Sequence, residues 1–222
     1  MPPKSISEKT PRVYRSELRQ RQAEATRTRI IEAATELFAA DGYARTTLAK
    51  IAAAAGVSAE TVQGQGTKAA LLIAACEHAA VGIDGEQNIF NVDQGRALRD
   101  AADAAAAMDL TVDVAAQIHE RTARLSAALI GAADADADLD RYVGDFVSGI
   151  TGQVRRVLEV YRDRDWLRDD INFDELVETA AVLTSVETYL RITHRDGWSL
   201  PDYRRWLRRM LAETIFAVPK AN

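Results

Sequence analysis

The segment of residues 46–72 constrains this chain most, because it reads as two short helices joined by a glycine turn, with a third helix starting just after. The first helix has an apolar face with helical spacing, formed by Leu48, Ile51 and Ala52. Gly56 supplies the backbone freedom of a tight turn, and Ser58 can cap the helix that follows. Val62 would pack that second helix against the first. The pattern predicts a helix-turn-helix, the unit that lays its second helix in the major groove of DNA.

The longer pattern around this segment resembles the TetR family of transcriptional regulators. The matching residues are Ile31-Glu32-Ala33-Ala34, Leu37-Phe38, Asp41-Gly42-Tyr43, Thr46-Thr47, Ile51-Ala52, Ala55-Gly56-Val57-Ser58, Thr61-Val62, Lys68 and Leu71-Leu72. The resemblance covers roughly residues 27–80. It implies an all-α protein, with an N-terminal three-helix DNA-binding domain and a larger C-terminal helical domain for ligand binding and dimerisation. It also implies a homodimeric repressor that a small-molecule effector releases from a palindromic operator in double-stranded DNA.

One segment departs from the family pattern. After Thr61-Val62 the family usually has Tyr, a variable residue, His or Tyr, and then Phe, whereas this chain reads Gln63-Gly64-Gln65-Gly66 and is one residue shorter. In the family the Tyr and His contact phosphates and the Phe packs beneath the recognition helix. Gln63 can donate to a phosphate or pair with adenine instead. Two alternatives stay open: a helical ligand-binding protein that has lost specific DNA binding, and a helical enzyme or carrier with an incidental helix-turn-helix.

We expect the DNA contacts to come from the recognition helix and from the residues at the start of its neighbours. This set comprises Arg45, Thr47, Ser58, Ala59, Glu60, Thr61, Gln63 and Lys68. Thr47 and Lys68 stand at predicted helix N-termini, which attract phosphate groups. Glu60 is ambiguous, because an acid in the first turn also suits the helix dipole without any DNA.

The net charge of −5 is distributed unevenly along the chain. Residues 1–30 carry eight Lys or Arg against three Glu, a net charge of +5, so the rest of the chain carries −10. A polyanion would be drawn to the N-terminal end and repelled by the remainder. Residues 1–20 are therefore predicted to be a flexible basic arm, either a solvated tail or an arm that orders on DNA.

Helical periodicity dominates the chain and no strand pattern is convincing, so the fold class is predicted to be all-α. We predict helices at about 17–40, 94–107, 110–132, 138–163 and 201–217, another opened by the capping pair Asn172 and Glu175, and a loop at 82–93. The domain boundaries are placed at 21–80 for DNA binding and 81–222 for effector binding and dimerisation. By family resemblance the last two helices pair with their symmetry mates in a four-helix bundle. Their apolar residues are the predicted subunit contacts: Phe173, Leu176, Val177, Ala180, Leu183, Tyr203, Leu207, Met210 and Leu211.

Other candidate sites are weak. The alternating Asp134, Asp136, Asp138 and Asp140 lack the glycine and the glutamate of a calcium loop, which favours a solvated inter-helix loop with an N-cap. The three histidines are too scattered for a metal site, and His119 is read as a half-exposed surface residue rather than a ligand contact. No nucleophile–base pair or phosphate-binding glycine loop occurs, so neither catalysis nor a cofactor is predicted. The single cysteine, Cys76, fits a reducing compartment. With no signal peptide and no membrane span in the sequence, the expected location is the cytoplasm.

Two further features have alternative interpretations. Gly144, Gly149 and Gly152 lie inside one predicted helix, where each costs about 1 kcal/mol relative to alanine. Either close helix packing or room for a bound small molecule would offset that cost. The pairs Arg204-Arg205 and Arg208-Arg209 form either ion pairs and a solvated face or a second DNA surface.

Overall fold

The computed structural model of this chain describes residues 11–79 and 88–217, with side chains described from residue 19 onward. Within these ranges the fold is all-α, as predicted, and the only extended pairing is one isolated bridge between Leu167 and Phe216. The helices are α1 (Pro11–Arg45), α2 (Leu48–Ala55), α3 (Ala59–Gln63), α4 (Lys68–Ala79), α5 (Asp93–Arg99), α6 (Ala104–Ala133), α7 (Ala137–Arg162), α8 (Phe173–Leu183), α9 (Val186–Tyr189) and α10 (Leu200–Thr214). A 3₁₀ turn, Ile89–Asn91, precedes α5, and a π-helical turn, Leu190–Arg195, continues α9.

The first helix begins earlier than its apolar pattern predicts. It starts at Pro11, so residues 11–20 of the predicted basic arm are helical. Residues 1–10 lie outside the described part of the chain, and the role of the arm stays a prediction. At its other end the regular helix stops at Gly42, whose φ of 75° is left-handed, which agrees with the predicted end at Asp41-Gly42.

The helix-turn-helix forms where it was predicted. Thr47 caps α2 by accepting a hydrogen bond from the Lys50 backbone N–H at 3.2 Å. Gly56 ends α2 in a left-handed conformation with φ 64°, a geometry that L-residues adopt only at a steric cost. Ser58 then caps α3. Val62 is fully buried, and burial of a valine side chain stabilises the pairing of α3 with α2 by about 1.5–3 kcal/mol.

The break before α6 lies elsewhere than predicted. We expected helices at 94–107 and 110–132, but α5 ends at Arg99 and α6 runs from Ala104 without a break near residue 108. The Asp103 side chain starts α6 by accepting a hydrogen bond from the Ala106 backbone N–H at 2.8 Å. Of the predicted loop at 82–93, residues 82–87 lie outside the described residues, and the rest forms the 3₁₀ turn and the start of α5.

Two apolar cores hold the molecule together. The N-terminal core includes Ile30, Phe38, Ile51, Val62 and Leu72, and it also contains four residues of the C-terminal part, Leu125, Leu129, Ala132 and Leu139. The ends of α6 and α7 are therefore built into the core of the helix-turn-helix domain. The second core joins α6 and α7 to α8, α9 and α10. A displacement of α6 or α7 must consequently reach α1 and α4, since interiors are close-packed.

Most of the predicted dimer contacts do not lie on the surface of the single chain. Six of the nine are buried in its second core, namely Leu176, Val177, Ala180, Tyr203, Leu207 and Leu211. Their side chains pack against their own chain, and the subunit contact itself stays a prediction. Phe173, Leu183 and Met210 are only partly buried and stay candidates.

The remaining sequence-based alternatives are also decided by the structure. The four arginines of α10 take part in ion pairs, with Asp113 and Asp109 on α6 and with Asp202 and Glu213 on α10 itself. This favours the ion-pair interpretation over a second DNA surface. Close packing within the single chain is not the reason for Gly144 or Gly152, because an added Cβ at either would meet nothing within 4 Å.

Candidate DNA-binding surface and effector cavity

The recognition helix α3 presents a narrow polar face. Ala59, Glu60, Thr61 and Gln63 are exposed, whereas Val62 between them is fully buried. The four exposed residues belong to the predicted DNA-contact set, so the fold leaves them accessible. A helix of five residues offers no other base-reading positions.

Two of the predicted contact residues have structural tasks inside α3. The Ser58 Oγ accepts a hydrogen bond from the Thr61 backbone N–H at 3.2 Å and lies 3.1 Å from the Thr61 hydroxyl. A hydrogen bond from its own backbone N–H, and a second from the Ser58 side chain, lower the pKa of Glu60. The carboxylate of Glu60 is thus stabilised by the helix start even without DNA.

The segment that departs from the family pattern is held by a polar contact. The Gln65 side-chain oxygen accepts a hydrogen bond from Arg27 Nη1 on α1 at 3.2 Å, and Gly66 follows with φ 136°. This contact joins the end of the helix-turn-helix to the first helix, within the segment that lacks the aromatic residues of the family pattern. The two residues are 38 positions apart in the sequence, so no local sequence pattern predicts their contact.

Lys68 is held within the domain rather than extended into solvent. Its Nζ donates a hydrogen bond to the Tyr43 carbonyl at 3.0 Å and lies 3.9 Å from the centroid of the Tyr43 ring. Thr47 and Arg45 are exposed beside it. Thr46, which the sequence analysis did not assign as a contact, is fully buried and donates to the Gly42 carbonyl at 2.8 Å. Thr46 therefore fixes the link from α1 to α2 and positions Thr47.

Tyr43 also connects the DNA-binding domain to the C-terminal helices. Its hydroxyl donates to the Asp136 carboxylate at 3.4 Å, and burial together with Asp136 raises the pKa of Tyr43. Asp136 is at the same time the N-cap of α7, accepting from the backbone N–H groups of Asp138 at 3.0 Å and Leu139 at 3.3 Å. Asp134 and Asp136 therefore lie between α6 and α7, with Asp136 as the expected N-cap, whereas Asp138 and Asp140 lie in the first turn of α7 rather than in the expected loop. Asp136 also touches the helix-turn-helix domain.

A cavity of about 520 Å³ lies among α6, α7 and the segment from α8 to α9. Its wall is mainly aliphatic, with Val114, Leu125, Phe146, Ile150 and Val157 among the lining side chains. Its volume is in the range of small-molecule sites, about 300–1,000 Å³. Cys76, on α4 of the DNA-binding domain, also lines it, so the cavity reaches the junction of the two domains.

The prediction that the structure contradicts most clearly is the one for His119. It was read as a half-exposed surface residue, but its exposure is only 8% and it lines the cavity. Helical periodicity could have found it, because Val112, Ala115, Ala116 and Ala123 bury the same side of α6. The polar character of histidine argued against a core position, and that argument was wrong.

Within residues 11–79 and 88–217 no group of three or more His, Cys, Asp or Glu side chains could hold a metal ion. In the same part of the chain, no helix combines the length and the apolar character that crossing a membrane requires.

Residues 30–75 match the family model described as "Bacterial regulatory proteins, tetR family". The resemblance to the TetR family is confirmed. The matched residues span the second half of α1, the helix-turn-helix and most of α4, the same region that carries the sequence motifs.

Solved structures extend the likeness of fold to most of the chain. A putative TetR-family regulator from Mesorhizobium loti has 19% identity and a TM-score of 0.67, over 88% of this chain and 98% of that one. A putative transcriptional regulator from Saccharomonospora viridis in complex with choline has 19% identity and a TM-score of 0.68, over 88% and 100%. NalD, the secondary repressor of the MexAB-OprM multidrug efflux pump in Pseudomonas aeruginosa, has 20% identity and a TM-score of 0.65, over 87% and 98%. No curated protein matches the chain. The fold is thus that of TetR-family transcriptional regulators, with an N-terminal helix-turn-helix domain and a larger C-terminal helical domain.

Proposed function

We propose that this chain is a DNA-binding transcriptional repressor that acts as a homodimer on a palindromic operator. The observation that carries the proposal is α3, a capped recognition helix with one buried anchor, Val62, and an exposed reading face. An operator with two-fold symmetry requires a two-fold protein, whose recognition helices must lie about 34–36 Å apart to enter successive major grooves. The fold shared with the repressor NalD supports the same assignment.

The subunit contact is proposed to use the outer faces of α8 and α10. Their inner faces are occupied by the chain's own core. Phe173, Leu183 and Met210 are the predicted apolar contacts that stay partly accessible.

The effector is proposed to bind in the cavity and to release the protein from DNA. The cavity is lined by α6 and α7, whose ends are built into the helix-turn-helix core through Leu129 and Leu139. A ligand that favours a different spacing of α6 and α7 would shift the population towards dimers that no longer fit the operator. Coupling of about 1–3 kcal/mol changes operator affinity roughly 5- to 150-fold.

A footprint on the intergenic DNA next to the chain's own gene tests this proposal. We expect one protected palindrome and a salt-dependent affinity. Protection of no specific site at any salt concentration would instead favour the alternative of a ligand-binding protein without an operator.

Gln63→Ala then tests which residue reads the sequence. If Gln63 contacts a base, the change should cost about 1–3 kcal/mol on the operator, with non-specific affinity nearly unchanged. The matched control is Gln117→Ala, because Gln117 is also an exposed glutamine but lies on α6 rather than on α3. An equal loss on all DNA would assign Gln63 to a phosphate instead.

A further inference from the structure

His119 lines the cavity and contains a buried hydrogen-bond acceptor that has no partner. Its Nε2 lies 2.8 Å from the Thr184 carbonyl oxygen. Because a carbonyl only accepts, Nε2 must carry the proton, and Nδ1 of the neutral ring is then an acceptor. That Nδ1 is buried and has no hydrogen-bond partner. Buried polar atoms are normally paired, so an orphaned one requires an explanation.

The surroundings of His119 keep the ring neutral. Burial lowers the pKa of His119, which outweighs the opposite effects of the Thr184 carbonyl and of Glu187. The ring also packs on Tyr189, with 5.3 Å between the ring centroids. A neutral ring cannot attract an anion by charge, and it offers one lone pair.

The charged and threonine side chains of the wall have the same preference. Its charged members are Glu178 and Glu187, both exposed, and the described residues that line the cavity include no lysine or arginine. Its threonine hydroxyls donate to carbonyl groups of the protein and so present acceptor lone pairs; these are Thr111, Thr122, Thr151, Thr184 and Thr188. An anionic head group would therefore lose its water without gaining a cation, which is costly in an apolar site.

We infer that the effector is an apolar molecule without negative charge that carries a hydrogen-bond donor, a hydroxyl or an N–H group, accepted by His119 Nδ1. The inference rests on the proposed role of the cavity as the effector site. Reaching Nδ1 requires a small shift of the side chains around it, because that atom has almost no accessible surface in the structure.

Three matched probes test the ligand class on the full-length wild-type protein: 4-hexylphenol, hexylbenzene and 4-hexylbenzoate. Titration calorimetry at pH 7.5 keeps the phenol neutral and the benzoate ionised. We expect the phenol to bind about 3- to 10-fold more tightly than hexylbenzene, the range of one net hydrogen bond. The benzoate should bind more weakly than either. A benzoate that binds as tightly as the phenol would overturn the inference.

Substitution of His119 tests the residue. His119→Phe keeps an aromatic ring against Tyr189 but removes the acceptor, so the phenol should fall to the affinity of hexylbenzene while hexylbenzene itself changes less than about twofold. Val114→Ala is the control, since Val114 lines the same cavity on α6 but offers no hydrogen-bonding group, so its loss affects both probes alike. It should leave the ratio of phenol to hexylbenzene unchanged. A ratio that survives His119→Phe would remove His119 from the recognition of the donor.

The two proposals fail in different ways. If the phenol binds through His119 but does not change operator affinity in a fluorescence anisotropy assay, the ligand class holds and the effector role fails. If none of the three probes binds the wild-type protein, the cavity is not a ligand site and both are overturned.

Discussion

Substitution of glycine by alanine should stabilise the protein inside α7 but destabilise it at Gly42 and Gly56, where α1 and α2 end. Gly144 and Gly152 lie inside α7, and an added Cβ at either meets nothing within 4 Å. Alanine is favoured over glycine in a helix interior by about 0.5–1 kcal/mol, because it loses less backbone entropy on folding. The double variant Gly144→Ala/Gly152→Ala should therefore gain about 1–2 kcal/mol of stability if the two effects add.

The measurement is thermal unfolding by circular dichroism at one fixed protein concentration, since the Tm of an oligomer depends on concentration. For a chain of this size 1 kcal/mol shifts the Tm by about 2–4 °C, so the double variant should melt roughly 2–8 °C higher. Titrations with hexylbenzene on the same samples would show whether the added methyl groups reach the cavity.

Gly42 and Gly56 provide the matched controls. A Cβ at either also meets nothing within 4 Å, but their φ values are 75° and 64°. The left-handed region costs an L-residue about 1–2 kcal/mol, so Gly42→Ala and Gly56→Ala should each lower the Tm. An added Cβ has room at all four positions, so the backbone conformation alone decides whether alanine raises or lowers the Tm.

Two results would refute this reasoning. A higher Tm for Gly56→Ala would mean that the turn of the helix-turn-helix does not need its left-handed residue. A lower Tm for the α7 double variant would mean that something outside the single chain, such as the partner subunit, packs against Gly144 or Gly152.

Three other predictions concern the DNA-binding surface, the contact between the two domains and the cysteine that lines the cavity. Lys68→Ala should flatten the slope of log K against log[salt] by about one unit per subunit, and an unchanged slope would remove Lys68 from the phosphate contacts. Tyr43→Phe deletes only the hydroxyl that donates a hydrogen bond to Asp136. It should reduce effector-induced release from DNA about 3- to 10-fold while leaving the operator affinity without effector near wild type. Undiminished release would exclude a role of this hydrogen bond in the coupling. Burial raises the pKa of the Cys76 thiol to about 12. At pH 8 only about one thiol in 10⁴ is then ionised, so alkylation of Cys76 should be slow and should speed up as the pH rises towards 12. A ligand bound in the cavity should slow the reaction further. Fast alkylation at pH 8 would contradict the burial of Cys76.

Local patterns in the sequence were sufficient for the helix-turn-helix. The caps at Thr47 and Ser58, the turn at Gly56 and the anchor at Val62 all depend on residues within a few positions of each other. The contact between Arg27 and Gln65 and the one between Tyr43 and Asp136 could not be predicted in this way. Each joins segments that are distant in sequence, and neither residue type is unusual at its position.

The errors in the C-terminal domain have physical causes that can be named. Periodicity found the apolar faces of α8 and α10, but an apolar face does not reveal what covers it, and Leu176 and Leu207 turned out to pack inside the chain. The break before α6 was misplaced because alanine-rich sequence on both sides favours helix throughout. Only Asp103, as an N-cap, marks the true start.

Packed elements connect the cavity to the helix-turn-helix domain, and they determine how ligand binding would change the position of the recognition helix. Val143 of α7 lines the cavity and also packs against the N-terminal core. Seven residues before it, Asp136 caps the same helix and accepts the Tyr43 hydroxyl, and the Tyr43 carbonyl in turn holds Lys68 at the start of α4. A ligand that moves α7 therefore acts on the α1–α2 link through both apolar packing and one polar chain. Since the apolar packing survives Tyr43→Phe, that variant should weaken the coupling without abolishing it, and complete loss would assign the coupling to the polar chain alone.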